Sequence, residues 1–284
     1  MCRFLLYMGP PVTLDVLTTR PEYSIIRQSY QSRYAKEPLN GDGFGIAWYS
    51  PDVSPEPARF CSIQPAWSSQ NLRHLARVTR SEAILAHVRA ASSGMSVSET
   101  NCHPFTVGRF AFMHNGAIAE FPKLKRRLQQ RLSEESFLQI DGNTDSEHLF
   151  ALFRDRLAEG KVDGNPTSMM ADALGRTIEE AVELSCAIER NEPSRLNLVV
   201  TDGIRAVVSR YASGAAEAPS LFYRHTSQCM CEEGIFRMVE TDEPGPAIVI
   251  ASEPITRQAG WQPVPQGHML IVDRDRTVKL RELD

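Results

Sequence analysis

No apolar run in the 284-residue chain approaches the roughly 18 residues needed to cross a bilayer, and Phe4-Leu5-Leu6-Tyr7-Met8 is too short for a signal-peptide core. The expected address is cytoplasmic, with no membrane partner. An excess of positive charge is also missing. Lys plus Arg number 31 against 35 Asp plus Glu, a formal net charge of −4, so nothing draws the chain to phosphate backbones and nucleic acid is not an expected partner. No internal repeat and no Pro-, Gly- or Ser-rich linker divides the sequence, which therefore reads as one unit, although about 150 residues per domain would allow two. Six cysteines in a chain of this length do not make a disulfide framework and are read as free thiols. No apolar lipobox precedes Cys2, so a lipid anchor is not expected. What remains, 42% hydrophobic and 23% charged residues, suits a globular protein with a sizeable core.

The patterning predicts strands at Cys2–Met8, Phe44–Ser50, Arg59–Gln64, Ala83–Val88 and Arg109–Met113. Short helices are expected at Thr13–Thr19 and Ser24–Ser32, and a longer one at Ser69–Val78. Asn40-Gly41-Asp42-Gly43 reads as a glycine turn, and Pro51–Pro57 as a loop. Amphipathic helices are expected over Phe121–Leu132, Thr144–Ala158 and Ser168–Arg190, then a hairpin of Leu196–Thr201 and Ile204–Tyr211 about Asp202-Gly203. Strands at Ala247–Ala251, His268–Val272 and Thr277–Leu280 close the chain, with loops expected at Ala212–Pro219 and Gly234–Pro246. Strands, central helices and strands again predict an α+β unit of antiparallel sheets covered by helices.

Removal of Met1 would leave Cys2 with a thiol and a free α-amine. An α-amine with a pKa of about 7.7–8.0 can take the thiol proton and later return it to a leaving amine, so no histidine partner is required. Three further segments could serve an acyl transfer. His114-Asn115-Gly116 ends an apolar strand and offers a side-chain amide and a backbone N–H to an oxyanion, though Asn-Gly also makes ordinary turns. His87-Val88-Arg89 ends another, where a guanidinium could grip a carboxylate or sit in a salt bridge. In Gly142-Asn143-Thr144-Asp145 a carboxylate opens a helix, suited to an ammonium group or simply to the helix dipole. Together these describe a site for the side-chain amide of an α-amino acid.

Six blocks then recur in the order of a known family. Cys2-Arg3-Phe4, Asn40-Gly41-Asp42-Gly43-Phe44-Gly45, Ala86-His87-Val88-Arg89-Ala90-Ala91, Asn101-Cys102-His103-Pro104-Phe105, Met113-His114-Asn115-Gly116 and Gly142-Asn143-Thr144-Asp145-Ser146-Glu147 resemble class II glutamine amidotransferases of the N-terminal nucleophile superfamily. Ala251-Ser252-Glu253-Pro254 and Gly260-Trp261 are similar to the stand-alone branch, which includes Dug-type glutathione-degrading subunits and the γ-glutamyl hydrolase of ergothioneine synthesis. The resemblance implies a four-layer αββα sandwich over residues 2–284. It also implies glutaminase-type hydrolysis of a γ-glutamyl amide, glutamine or a γ-glutamyl peptide, through a Cys2 thioester. Cys2 would be nucleophile and base, Asn115 and Gly116 the oxyanion hole, Arg89 the carboxylate clamp and Asp145 the ammonium clamp. Gly41, Asp42 and Gly43 would bring backbone close to the substrate. The larger amidotransferases follow the arginine with Trp, Ala, Thr and His, whereas Arg89 is followed by Ala90, Ala91, Ser92 and Ser93, which makes Ser92 the heir to the threonine hydroxyl.

No ammonia-consuming synthase domain is expected after the glutaminase-like blocks, and the expected readings are a free-standing hydrolase or a glutaminase subunit whose partner is another chain. A catalytically silent γ-glutamyl-binding subunit is a third reading. Metal sites built on Cys229-Met230-Cys231 with His225, or on Cys102-His103 with His114, lack the paired C-x₂₋₄-C spacing of structural zinc, and neither metal nor cofactor is expected. An N-terminal cysteine hydrolase for an apolar amide has no use for the opposed charges of Arg89 and Asp145.

Overall fold

Residues alternate along the first strand between two different cores, and that alternation defines the layers. In β1 (Arg3–Thr13), Phe4, Leu6 and Met8 enter one cluster of buried side chains, while Leu5 and Tyr7 enter another on the opposite face. A strand buried on both faces must lie inside a stack of layers. The computed structural model describes residues 2–34, 39–91, 96–160, 164–188, 192–232, 235–240 and 245–283.

β1 is central in a seven-stranded sheet with β2 (Phe44–Ser50), β3 (Ser54–Ser62), β4 (Arg80–Val88), β9 (Phe222–Thr226), β12 (Ala247–Ala251) and β13 (Gln262–Pro263), in the order β13-β9-β12-β1-β4-β2-β3. A six-stranded sheet runs β15 (Val278–Glu282), β14 (His268–Val272), β8 (Ala206–Arg210), β7 (Arg195–Thr201), β6 (Phe110–Ala117) and β5 (Phe105–Val107). All pairings in both sheets are antiparallel. The sheets meet over a layer that includes Phe4, Leu6, Met8, Leu85, Met113, Val199 and Ile250. Each such side chain, fully buried, stabilises the fold by about 1.5–3 kcal/mol of transfer free energy.

The outer face of the first sheet is covered by α1 (Leu14–Thr18), α2 (Ile25–Gln28), α3 (Gln70–Val78) and the hairpin of β10 (Gln228–Glu232) with β11 (Ile235–Val239). The outer face of the second is covered by α4 (Phe121–Gln129), α6 (Asp145–Ala158) and α7 (Pro166–Cys186), with α5 (Glu134–Leu138) packed beside α6. The result is the expected four-layer αββα sandwich. Among the described residues no helix is long and apolar enough to cross a membrane.

Several details differ from the sequence reading, among them the following. β3 begins at Ser54, inside the expected Pro51–Pro57 loop. β11 occupies part of the segment expected as the Gly234–Pro246 loop, because Phe236 and Met238 alternate with exposed neighbours and pack on the helical face of the first sheet. β9 escapes a hydrophobicity reading because it buries Arg224, His225 and Thr226 rather than aliphatic residues.

Candidate active site

One end of the sandwich collects the polar residues singled out in the sequence. Arg3 pairs with Val88 at the end of β4, and Cys2, immediately before β1, shares the parity of Phe4 on the inter-sheet side. Its Sγ lies against Ala90, accepting from the backbone N–H at 3.4 Å and donating to the carbonyl at 3.5 Å. Burial pushes this thiol up, while the Ala90 N–H and the charges of Arg89 and Arg3 pull it back. A thiol held protonated needs a base before it can attack.

The second sheet reaches the same level. His87, paired with Phe4 in the first sheet, donates Nε2–H across the layer to the carbonyl of His114 at 3.2 Å. Asn115 follows, on the inter-sheet face with Ala111 and Met113. It is fully buried, and neither atom of its amide has a partner among the described residues. Such a group is costly unless something outside the protein satisfies it. At Gly116, φ is +154° and a Cβ would sit 1.8 Å from the carbonyl oxygen of Arg195, so a side chain there would force β6 and β7 apart.

Arg89 is 4% exposed, and among the described residues no acidic side chain pairs with it. Among the described residues its guanidinium donates to backbone carbonyls, Nη1 to Asp42 at 3.5 Å and Nη2 to Ser96 at 3.1 Å. A buried cation without a counter-charge suits an anionic ligand. The Asn40–Gly43 turn is laced to this strand end: Arg89 N–H donates to Gly43 at 2.9 Å, Asp42 N–H to Arg89 at 3.1 Å, and Ala91 N–H to the Asp42 carboxylate at 2.8 Å. Asp42 thus clasps the loop. Gly43, with φ of +112°, has no space for a Cβ, which would lie 2.7 Å from the Ser62 carbonyl and 2.8 Å from Cys102 Sγ.

Asp145 opens α6 behind Thr144, whose Oγ1 caps the helix by accepting from Glu147 N–H at 3.2 Å. Its carboxylate accepts from Ile118 N–H and from Ser146 N–H, both at 2.8 Å, which ties the helix to the end of β6. A carboxylate has about four acceptor directions, so capacity for a cation remains. His114 lies on the helical side, with Nε2–H donating to Arg195 at 2.9 Å and Nδ1 against Ser146 Oγ at 2.9 Å. Burial holds its pKa down, opposed in part by the Asp145 charge.

Two residues given no role in the sequence reading organise these groups. Asn101 donates to Ser96 O at 3.1 Å and to Asn143 Oδ1 at 2.9 Å, and accepts from Asn143 N–H at 3.0 Å, which joins the Arg89 loop to the Asp145 helix. Glu253 accepts from Arg3 Nε at 2.6 Å and Arg33 N–H at 2.9 Å and bonds the Ser32 hydroxyl, which anchors the start of β1. Both appeared in the sequence only as members of blocks, Glu253 in Ala251-Ser252-Glu253-Pro254 and Asn101 in Asn101-Cys102-His103-Pro104-Phe105. Ser92 lies outside the described residues. Gly41 sits at the turn with a Cβ position 3.2 Å from Trp67. No group of three His, Cys, Asp or Glu side chains among the described residues could hold a metal ion.

The family model for class-II glutamine amidotransferases matches residues 16–283, and the chain belongs to that family. It is 41% identical to the probable glutamine amidotransferase DUG3 of Saccharomyces cerevisiae, over 96% of this chain and 82% of that protein. It is 26% identical to the gamma-glutamyl-hercynylcysteine sulfoxide hydrolase of Mycolicibacterium smegmatis, with both chains fully covered. The solved structure of a class-II glutamine aminotransferase domain protein from Silicibacter pomeroyi superposes with a TM-score of 0.70 at 26% identity, covering 99% of each chain. The protein is thus an amidohydrolase of the class-II glutamine amidotransferase type.

Proposed function

We propose that the protein, once Met1 is removed, hydrolyses a γ-glutamyl amide through a thioester on Cys2. The observation that carries this reading is the buried Arg89 guanidinium, without an acidic partner among the described residues, directly beside the Ala90 backbone that holds the Cys2 thiol. Arg89 takes the substrate α-carboxylate and Asp145 the α-ammonium, which leaves the γ-amide over the thiol.

The α-amine of Cys2 takes the thiol proton, and Sγ attacks the amide carbon. The oxyanion is received by Asn115 Nδ2–H and the Gly116 N–H. Collapse breaks the C–N bond, and the ammonium of Cys2 gives its proton to the departing amine. Water, deprotonated by the same amine, then attacks the thioester, releasing glutamate and the thiol. Burial, which keeps the thiol protonated, makes an adjacent base necessary.

The test is glutamate release from glutamine, glutathione and a γ-glutamyl anilide by the wild type and Cys2→Ala, with intact mass reporting Met1. Release lost in Cys2→Ala supports the reading, and the preferred substrate names the leaving group. Release that persists in Cys2→Ala overturns it.

A second reading, a glutaminase subunit that works only with another chain, draws on one observation. Segments that carry the site expose Tyr30, Tyr34, Leu39, Ile63 and Val97, each 45–62% accessible. It predicts no release by the isolated chain although Met1 is gone.

A further inference from the structure

Asn197 of β7 stands directly across from Asn115 of β6 in the antiparallel register. Directly opposed residues point to the same face, with Cβ atoms about 4.5–5.5 Å apart. Val199, two residues along β7, faces the inter-sheet layer with Met113, so both asparagines do the same. Both are fully buried.

The orientation of Asn197 is set by a bond from Nδ2–H to the carbonyl of Pro219 at 2.9 Å. A carbonyl can only accept, so the nitrogen faces Pro219 and Oδ1 faces away. That oxygen has no partner among the described residues, nor does either atom of the Asn115 amide. An acceptor without a donor therefore stands on the residue paired across the strands with an amide whose donors have no acceptor among the described residues.

We propose that Asn197 is a positioning residue for the reaction, its Oδ1 accepting one of the two N–H groups of Asn115 as the tetrahedral intermediate forms. The inference rests on the reading of Asn115 as an oxyanion donor. An amide can be turned end for end with little change of shape, and in the wrong sense Asn115 would set its own oxygen lone pairs against the oxyanion. A fixed acceptor on one side selects the sense in which Nδ2 faces the reacting carbonyl, leaving the second N–H for the oxyanion. Catalytic hydrogen bonds often close only when substrate is bound.

The test is a double-mutant cycle on glutamate release with Asn115→Ala, Asn197→Ala and the pair, with kcat and KM measured separately. One neutral hydrogen bond lost should lower kcat about five- to tenfold in Asn197→Ala, with KM within about twofold. In the Asn115→Ala background the same change should do nothing further, because nothing remains to be oriented. Asn197→Leu, of similar volume and without an acceptor, should repeat the result if the alanine variant is poorly folded. Equal losses of kcat in both backgrounds, an unchanged kcat in Asn197→Ala, or failure of both variants to fold would make Asn197 merely structural and overturn the proposal. Wild-type kcat in Asn115→Ala would overturn the oxyanion reading itself, whatever Asn197 does.

Discussion

Arg89→Lys separates the chemistry of the buried cation from its charge. The arginine divides its nitrogens between two loops, Nη1 at 3.5 Å from Asp42 O and Nη2 at 3.1 Å from Ser96 O. Lysine keeps the charge but offers one nitrogen on a flexible stem, which cannot hold both carbonyls and also grip a carboxylate as a fork. The loss of one hydrogen bond to a charged group costs about 1.5–3 kcal/mol. At about 1.4 kcal/mol per decade, KM should rise roughly ten- to 150-fold. The α-carboxylate lies at the non-reacting end of the substrate and is held alike before and during the reaction, so kcat should change much less. Steady-state glutamate release from a γ-glutamyl anilide would be compared with release from its α-carboxamide analogue. The variant should lose its advantage on the first and change little on the second. Equal losses on both substrates, or an unchanged KM on the first, would refute the assignment of Arg89 to the α-carboxylate.

Asn115→Ala should lower kcat by about 10²- to 10³-fold while the chain stays folded, as read by single-turnover glutamate release beside circular dichroism. His87, pushed down to about 3 by burial, and His103, held well below its ordinary value for the same reason, stay neutral in the fold. An unfolded imidazole gains its proton near pH 6.5, so the unfolded state binds more protons as pH falls and stability drains between pH 6.5 and 3. His87 alone accounts for about 1–2 kcal/mol by pH 5.5, and urea midpoints that do not drop between pH 7.5 and 4.5 would contradict the buried neutral rings. Gly45→Ala would place a Cβ 2.1 Å from the His103 carbonyl and 2.5 Å from Cys61 Sγ. Overpacking of this kind costs about 1–3 kcal/mol, and an unchanged thermal midpoint would show that β2 yields there.

The architecture was legible where one physical signal dominated. Six ordered blocks gave the αββα sandwich, and the amphipathic stripes of α4 and α7 gave its outer layers. Arg89 and Asp145 stood out because each lies at the boundary of an element, and Asn115 because a polar residue follows an apolar run; the structure carries β6 past it to Ala117, so the strand does not end at Met113 as the apolar pattern suggested. β9 was not, because Arg224, His225 and Thr226 are buried polar residues that break the apolar pattern of a core strand. β10 and β11 were missed because a two-stranded hairpin alternates in short runs that resemble a loop. The clasp of Asp42 on Ala91 and the bridge of Asn101 between two loops depend on contacts 49 and 42 residues apart. No local period encodes such contacts.

What the period does encode is the level at which the site falls. Phe4, Leu6 and Met8 of β1 enter the inter-sheet layer, and the next position of that parity toward the chain start is Cys2. Ala83 and Leu85 of β4 lead to His87, Ala111 and Met113 of β6 to Asn115, and Val199 of β7 back to Asn197. Four strands thus pass from apolar to polar on the same face, and the His87 bond to His114 fixes β4 and β6 at a common height. Burial alone would favour aliphatic side chains at every one of these positions, since an unsatisfied buried polar group costs about 1–3 kcal/mol. Among the described residues, atoms of His87, Asn115 and Asn197 have no partner. A sandwich that closed its core for stability would end in hydrophobic residues here. This one ends in polar groups, which is the pattern expected if the layer opens here into the site proposed above.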